Sequence, residues 1–166
     1  MGSDPNSGQP CFRTNKRCTK LGSDPFSLTA HEGRTAVLDT NIVLDLFVFK
    51  DPAATPLRQL IETKEIRWIA TTAMRDELER VLSYPHILPR LAFHQLTPSK
   101  VLAQFDQHIQ IKPAAPRATA ICKDPDDQPF IDLAVAHHAL LLSKDNAVLC
   151  MNKRLLALGV IALTAI

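Results

Sequence analysis

The stretch Thr35 to Phe47, reading TAVLDTNIVLDLF, limits more than any other what this chain can fold into. Ala36, Val37 and Leu38 make a short apolar run that ends on Asp39, Thr40 and Asn41, after which a second apolar run begins. Such a run, ending in polar, turn-favouring residues, predicts a buried strand feeding a helix. In an open parallel sheet the ligand crevice lies beyond the carboxyl ends of the strands, which puts Asp39 at its lip. A carboxylate there either caps the helix or belongs to a site.

The rest of the chain repeats the alternation. Ile42–Phe49 reads as the first helix, stopped by Lys50-Asp51-Pro52; the next starts with Thr55 as cap and Pro56 at the first helical position. Its apolar face carries Leu57, Leu60 and Ile61. Arg67–Ala70 reads as a second strand, Thr71-Thr72 as a cap and Ala73–Ser83 as a helix, with a broken helical piece around Leu91–Phe93. Thr97-Pro98 opens a helix through Gln107, and Ile109–Ile111 is a weak third strand. Pro113 to Asp127 has three prolines and no periodicity, a long loop of the kind that is often functional in compact domains. A helix over Gln128–His138, a solidly apolar strand at Leu140–Ser143, a helix over Asn152–Leu158 stopped by Gly159, and a strand at Val160–Leu163 complete the series. Strands alternating with helices predict one α/β domain over residues 34–166 with a mainly parallel five-stranded sheet.

Residues 1–33 differ in kind. They are rich in Gly, Ser, Pro and Asn and repeat GSDP at Gly2–Pro5 and Gly22–Pro25, so too little apolar surface is available to offset ordering, and a disordered tail is expected. The segment also lacks the apolar core of a secretory signal. Net charge is +2 overall, and from Arg34 onward 15 Lys+Arg stand against 14 Asp+Glu. That balance gives no electrostatic footprint for tight, non-specific nucleic-acid binding, so any such contact must be local. The four cysteines (Cys11, Cys18, Cys122, Cys150) have no metal-ligand spacing; Cys122 and Cys150 read as small buried hydrophobes and a reducing cytoplasm is the expected compartment. No apolar run approaches membrane-spanning length.

The acidic residues are unevenly spread. Asp39 follows the first strand, Asp145 the fourth, and Asp76-Glu77-Leu78-Glu79 lies on the helix after the second. At about 100° per residue, Glu77 falls roughly 85° from the centre of the Met74, Leu78, Val81, Leu82 stripe, Glu79 roughly 115°, and Asp76 nearly opposite. Only Glu77 is at the stripe's edge, where a side chain can turn into a crevice. In KDPDDQPFIDLAVAHHA, Asp127 projects near the Phe130, Ala134 face, Asp132 faces water, and Asp124 and Asp126 flank Pro125 in a tight turn. Each acid has an ordinary explanation, since Asp is a favoured helix cap at Asp39, Asp126, Asp127 and Asp145. Four carboxylates meeting at one sheet end would repel one another without a cation between them. An all-oxygen set suits Mg²⁺ or Mn²⁺ and not zinc.

Other chemistries lack their residues. There is neither a glycine-rich phosphate loop nor a GxSxG elbow, and adjacent His137 and His138 diverge by about 100° on a helix, too far to share an ion. Trp68 and the phenylalanines look like core.

The three stretches TAVLDTNIVLDLF, TTAMRDELERVLSYP and CKDPDDQPFIDLAVAHHALLLSKDNAVL resemble, in order and spacing, the PIN-domain ribonucleases, and among them the bacterial toxins of toxin–antitoxin pairs. The resemblance spans Arg34 to Ile166. It implies a three-layer α/β/α fold whose acidic cluster binds Mg²⁺ or Mn²⁺ to hydrolyse RNA. It places the family's acids on Asp39, Glu77, Asp127 and Asp145, with Thr40 and Asn41 as the polar pair beside the first. Many members keep an acid or Asn where this chain has Gln128, so Asp124 could assist as a ligand instead. One ion would acidify a bound water, and a second about 3.5–4 Å away would stabilise the leaving oxygen. Lys144 is the expected phosphate contact, with Arg75, Arg80 and Lys123 behind it. An antitoxin partner and a homodimer are implied by the same likeness. Two other readings compete. A phosphatase of the haloacid-dehalogenase kind wants a second Asp where Asn41 stands, and an inactive PIN fold would serve only to bind protein.

Overall fold

A computed structural model describes residues 33–166. The expected tail, residues 1–33, lies outside the described residues except for Gly33, whose N–H donates to the Glu65 carbonyl at 3.2 Å. Five strands, β1 (Arg34–Leu38), β2 (Ile66–Ala70), β3 (Ile109–Ile111), β4 (Leu140–Leu142) and β5 (Ala162–Leu163), form one sheet in the order β3-β2-β1-β4-β5, every neighbouring pair parallel. The α/β class and the parallel sheet agree with expectation, and the arrangement fits a three-layer PIN-like fold. Central strands in such a sheet are covered on both faces and read as unbroken apolar runs. Val37 is fully buried, as are Leu141 and Leu142.

The order itself places the site. From β1 the chain moves outward through β2 to β3, then returns across β1 to β4 and β5. The reversal leaves a crevice beyond the carboxyl ends of β1 and β4, the switch point where ligands bind in open α/β sheets. Ala36, Val37 and Leu38 stand in register with Leu140, Leu141 and Leu142, and the Asp39 N–H donates to the Leu142 carbonyl at 2.9 Å. The residues just after β1 and those just after β4 are therefore adjacent.

Eight α-helices connect the strands among the described residues. The first, α1 (Thr40–Leu44), does not continue as an α-helix to Phe49 as its sequence suggests; Asp45–Phe49 widens into a π-helical turn, and Lys50 stops it in the left-handed conformation (φ 51°). The wider turn keeps Leu46, Phe47 and Val48 all buried. Helix α2 (Thr55–Glu62) begins without the expected Thr55 cap, because a single 3₁₀ turn at Pro52–Ala54 leads directly into it and Asp51 caps that turn by accepting from the Ala53 N–H at 2.9 Å. Thr71 does cap α3 (Thr72–Leu82), accepting from the Met74 N–H, and Thr97 caps α5 (Pro98–His108) through Lys100. Between them lies α4 (Leu88–Phe93). Helix α6 (Gln128–His137) packs against β1 and β4, followed by α7 (Asn146–Leu149) and α8 (Asn152–Ala157).

Trp68 anchors the core, with Phe105 edge-on at 5.0 Å and Phe47 stacked at 6.2 Å. Cys122 is buried as expected, but Cys150 is exposed. The fifth strand is shorter than its apolar run because the Val160 N–H bonds back to the Leu155 carbonyl of α8 and is not available to the sheet. Among the described residues no helix is long and apolar enough to cross a membrane.

Candidate active site

Four elements deliver carboxylates to the crevice edge. Asp39 leaves β1, Asp145 follows β4 by three residues, Glu77 stands in the second turn of α3, and Asp127 immediately precedes α6. The capping alternative separates them. Asp145 is a cap, accepting from the Ala147 N–H at 2.7 Å, whereas neither Asp39 nor Asp127 makes a side-chain capping bond to its helix. Both are nevertheless buried, at 6% and 8% exposure, and a buried carboxylate that caps nothing requires another explanation.

Around Asp39 the local partners are short and specific. Ser143, fully buried, donates its hydroxyl to Asp39 Oδ2, and Asn41 Nδ2 donates to the same oxygen at 2.9 Å. The Ser143 hydroxyl oxygen also accepts the Asp145 N–H at 3.0 Å, so one side chain ties the ends of β1 and β4 together. Asn41 adds a second tie by accepting the Lys144 N–H through Oδ1 at 3.3 Å. Thr40 turns its hydroxyl to Glu77 Oε1 at 3.1 Å, which links the first and third helices across the crevice. Thr40 and Asn41 thus orient acids.

The electrostatics record how closely the acids approach. Burial raises Asp39 above the ordinary carboxylate range; bonds from Ser143, Thr40 and Asn41 oppose it, and Asp145 adds repulsion. Glu77 is raised by burial and by Asp39 and Asp126, while Thr40 and Arg80 pull the other way. Asp127 carries the largest burden: burial first, then Asp39, Asp145, Asp124 and Glu77, push it from 3.8 up to about 7. Its Oδ2 is buried with no hydrogen-bond partner. An orphaned carboxylate oxygen facing several like charges is a position that a cation would satisfy. The donor set is all carboxylate, which fits a hard divalent ion such as Mg²⁺ or Mn²⁺. Among the described residues, however, no three acidic, histidine or cysteine side chains close around one ion-sized point, so holding an ion requires the carboxylates to rotate inward.

The basic residues fall differently from expectation. Lys144 is not free to meet a phosphate: its ammonium is 2.6 Å from Asp45 and 3.2 Å from Asp51, and these acids hold its pKa up. Arg75 is likewise engaged, donating through two nitrogens to both oxygens of Asp106 at 2.7 and 2.8 Å. Arg80 and Lys123 are exposed and form no ion pair among the described residues. Asp124 accepts the Asp126 N–H at 2.9 Å and shapes the turn around Pro125. Asp132, expected to face water, is half-buried and accepts bonds from the Ala118 N–H and from Gln128. Sequence reasoning missed Ser143, whose only signal was a hydroxyl closing an apolar strand two residues before an acid.

No curated protein matches the chain. A family model described as PIN domain matches residues 35–147, a span that runs from within β1 through β4 and includes all four acids. PIN domains are generally nucleases that use divalent metal ions and act on RNA. By sequence match and by fold, this chain belongs to the PIN-domain family.

Proposed function

We infer that the protein is a Mg²⁺- or Mn²⁺-dependent endoribonuclease acting in the cytoplasm, the toxin component of a toxin–antitoxin pair. The observation that carries the hydrolytic reading is Asp127: buried, with one oxygen unpartnered and its proton held to about pH 7 by burial and four other carboxylates. Asp39, Glu77, Asp127 and Asp145 would hold the ion or ions, with Asp124 in reserve at the rim. Bound there, a divalent ion supplies an acidified water as nucleophile and positive charge for the departing oxygen.

The remaining work belongs to the chain. Ser143 and Asn41 hold the Asp39 carboxylate, and Thr40 holds Glu77, at the carboxyl ends of β1 and β4. Orientation of ligating groups by such hydrogen bonds is typically worth tenfold or more in affinity or rate. Arg80, beside Glu77, and Lys123, beside Asp124, are the cations left to meet the RNA backbone once Lys144 and Arg75 are committed to acids. Two local cations in a domain of nearly balanced charge fit a substrate gripped close to the scissile bond.

The toxin role rests on the likeness of the three quoted stretches to the bacterial toxin branch. It brings an antitoxin partner and a homodimer with it. The inactive protein-binding reading has one observation in its favour, the carboxylates that do not close around a common point. One assay separates the two: cleavage of single-stranded and hairpin RNA by purified protein with Mn²⁺, with EDTA, and with Asp39→Asn. Metal-dependent cleavage lost in the variant supports the nuclease; equal cleavage by both proteins rejects it. Growth arrest on induced expression, relieved by a co-expressed neighbouring gene product, tests the toxin role.

A further inference from the structure

Gln128 opens α6 directly after Asp127, and its surroundings show what it does. It is 2% exposed and every polar atom of its amide is occupied. Oε1 accepts the Cys122 N–H at 2.7 Å; Nε2 donates to the Ala120 carbonyl at 3.1 Å and to Asp132 Oδ1 at 2.6 Å. Reversing the amide would set donor against donor and acceptor against acceptor at all three contacts, so the orientation is fixed by the network. Asp132 Oδ1 also accepts the Ala118 N–H at 2.9 Å. Two side chains one helical turn apart on α6 therefore bind three backbone groups of the proline-rich loop, at residues 118, 120 and 122.

The bond between Cys122 and Gln128 closes residues 122–128 into a ring, and that ring contains Asp124, Asp126 and Asp127. Inside it the Asp126 N–H bonds Asp124, and the Gln128 N–H reaches the Pro125 carbonyl at 3.3 Å. On its outer side Cys122 Sγ lies 3.7 Å from the Ala147 carbonyl, two residues past Asp145. A long irregular segment would otherwise sample many conformations, and its closure removes most of them.

We propose that Gln128 and Asp132 are positioning residues: they pin the 118–122 loop and thereby keep Asp127 at the crevice, where its side chain can turn to a divalent ion. This rests on the nuclease reading for its purpose, though the network itself does not. Asp132→Asn keeps an oxygen that accepts both bonds; Asp132→Ala removes it; Gln128→Glu keeps the bond from Cys122 and loses both donated bonds.

The test measures Mn²⁺ affinity from the free-ion electron paramagnetic resonance signal, together with amide hydrogen exchange at Ala118 and Cys122, in wild type and these variants. Asp132→Ala and Gln128→Glu are expected to weaken Mn²⁺ binding 10- to 100-fold; exchange should speed most at Ala118 in Asp132→Ala, which removes its acceptor, and less at Cys122, whose acceptor both variants keep. Asp132→Asn should match wild type in both. With RNA, kcat should fall in the damaging variants while KM stays within twofold. Unchanged Mn²⁺ affinity in all variants, with the amides loosened, would overturn the positioning role and leave the nuclease reading standing. No Mn²⁺ binding by the wild type would bring down that reading and the positioning role together. Gln128→Ala, the most disruptive change, is needed only as a third point if it folds by circular dichroism.

Discussion

Without a metal ion, this domain should become less stable as pH rises from about 4 to about 7, and Asp127 should be the main reason. Its folded-state pKa is raised from 3.8 to about 7, so its contribution is complete below about pH 4 and is lost as pH rises through about 7. Between pH 5 and pH 7 the unfolded chain has released this proton while the native state still holds it. Two pH units at about 1.4 kcal/mol each give a ceiling just under about 3 kcal/mol. Asp124, one of the carboxylates that repel Asp127, is exposed, and water there screens it, so an effect on the order of 1.5 kcal/mol is expected. For a domain of this size that is a fall in Tm of about 5 °C. Thermal unfolding in EDTA at pH 5 and pH 8 should show that fall in wild type, a smaller one in Asp127→Asn, and little in wild type with saturating Mn²⁺, which binds the ionised native state. Parallel Tm–pH curves for wild type and Asp127→Asn in EDTA would refute the reasoning.

Other outcomes follow from the same geometry. Asp39→Asn and Glu77→Gln should each lower kcat for RNA by more than about 100-fold while circular dichroism and Tm stay near wild type, since both changes are close to isosteric. Lys144→Ala should lower Tm by uncoupling Asp45 and Asp51 yet leave KM for RNA unchanged, whereas Arg80→Ala should raise KM several-fold without altering Tm; steady-state kinetics beside a melt distinguishes them. Gly159→Ala should destabilise by more than about 1 kcal/mol in denaturant unfolding, because φ is +78° there and an added Cβ would sit 2.8 Å from His138 Nδ1.

The sheet was legible because its strands are short apolar runs broken by residues that end strands or cap helices. The solidly apolar run from Leu140 reads as a strand, and Thr71 and Thr97 announce the helices they cap. Glu77 was separable from Asp76 and Glu79 because helical periodicity is a local rule; it is half-buried and bonded to Thr40, while the other two are exposed. What stayed hidden depends on contacts between distant residues. Ser143 and Asp39 lie 104 positions apart, and nothing near Ser143 reveals the carboxylate it meets. Lys144 looked available for phosphate because Asp45 and Asp51, brought to it by the π turn and the 3₁₀ turn, cannot be placed from composition. Position on α6 directs Asp132 to water, but the loop folds over that face. Helical phase gives a direction and says nothing of what arrives to meet it.

Diffraction from crystals soaked in MnCl₂, collected near the manganese edge, tests the central claim most directly. An anomalous peak within about 2.5 Å of oxygens from at least two of Asp39, Glu77, Asp127 and Asp145, with the unpartnered Asp127 oxygen turned toward it, is the predicted result. Ordered density for all four side chains with manganese bound elsewhere, or not at all at millimolar concentration, would contradict it.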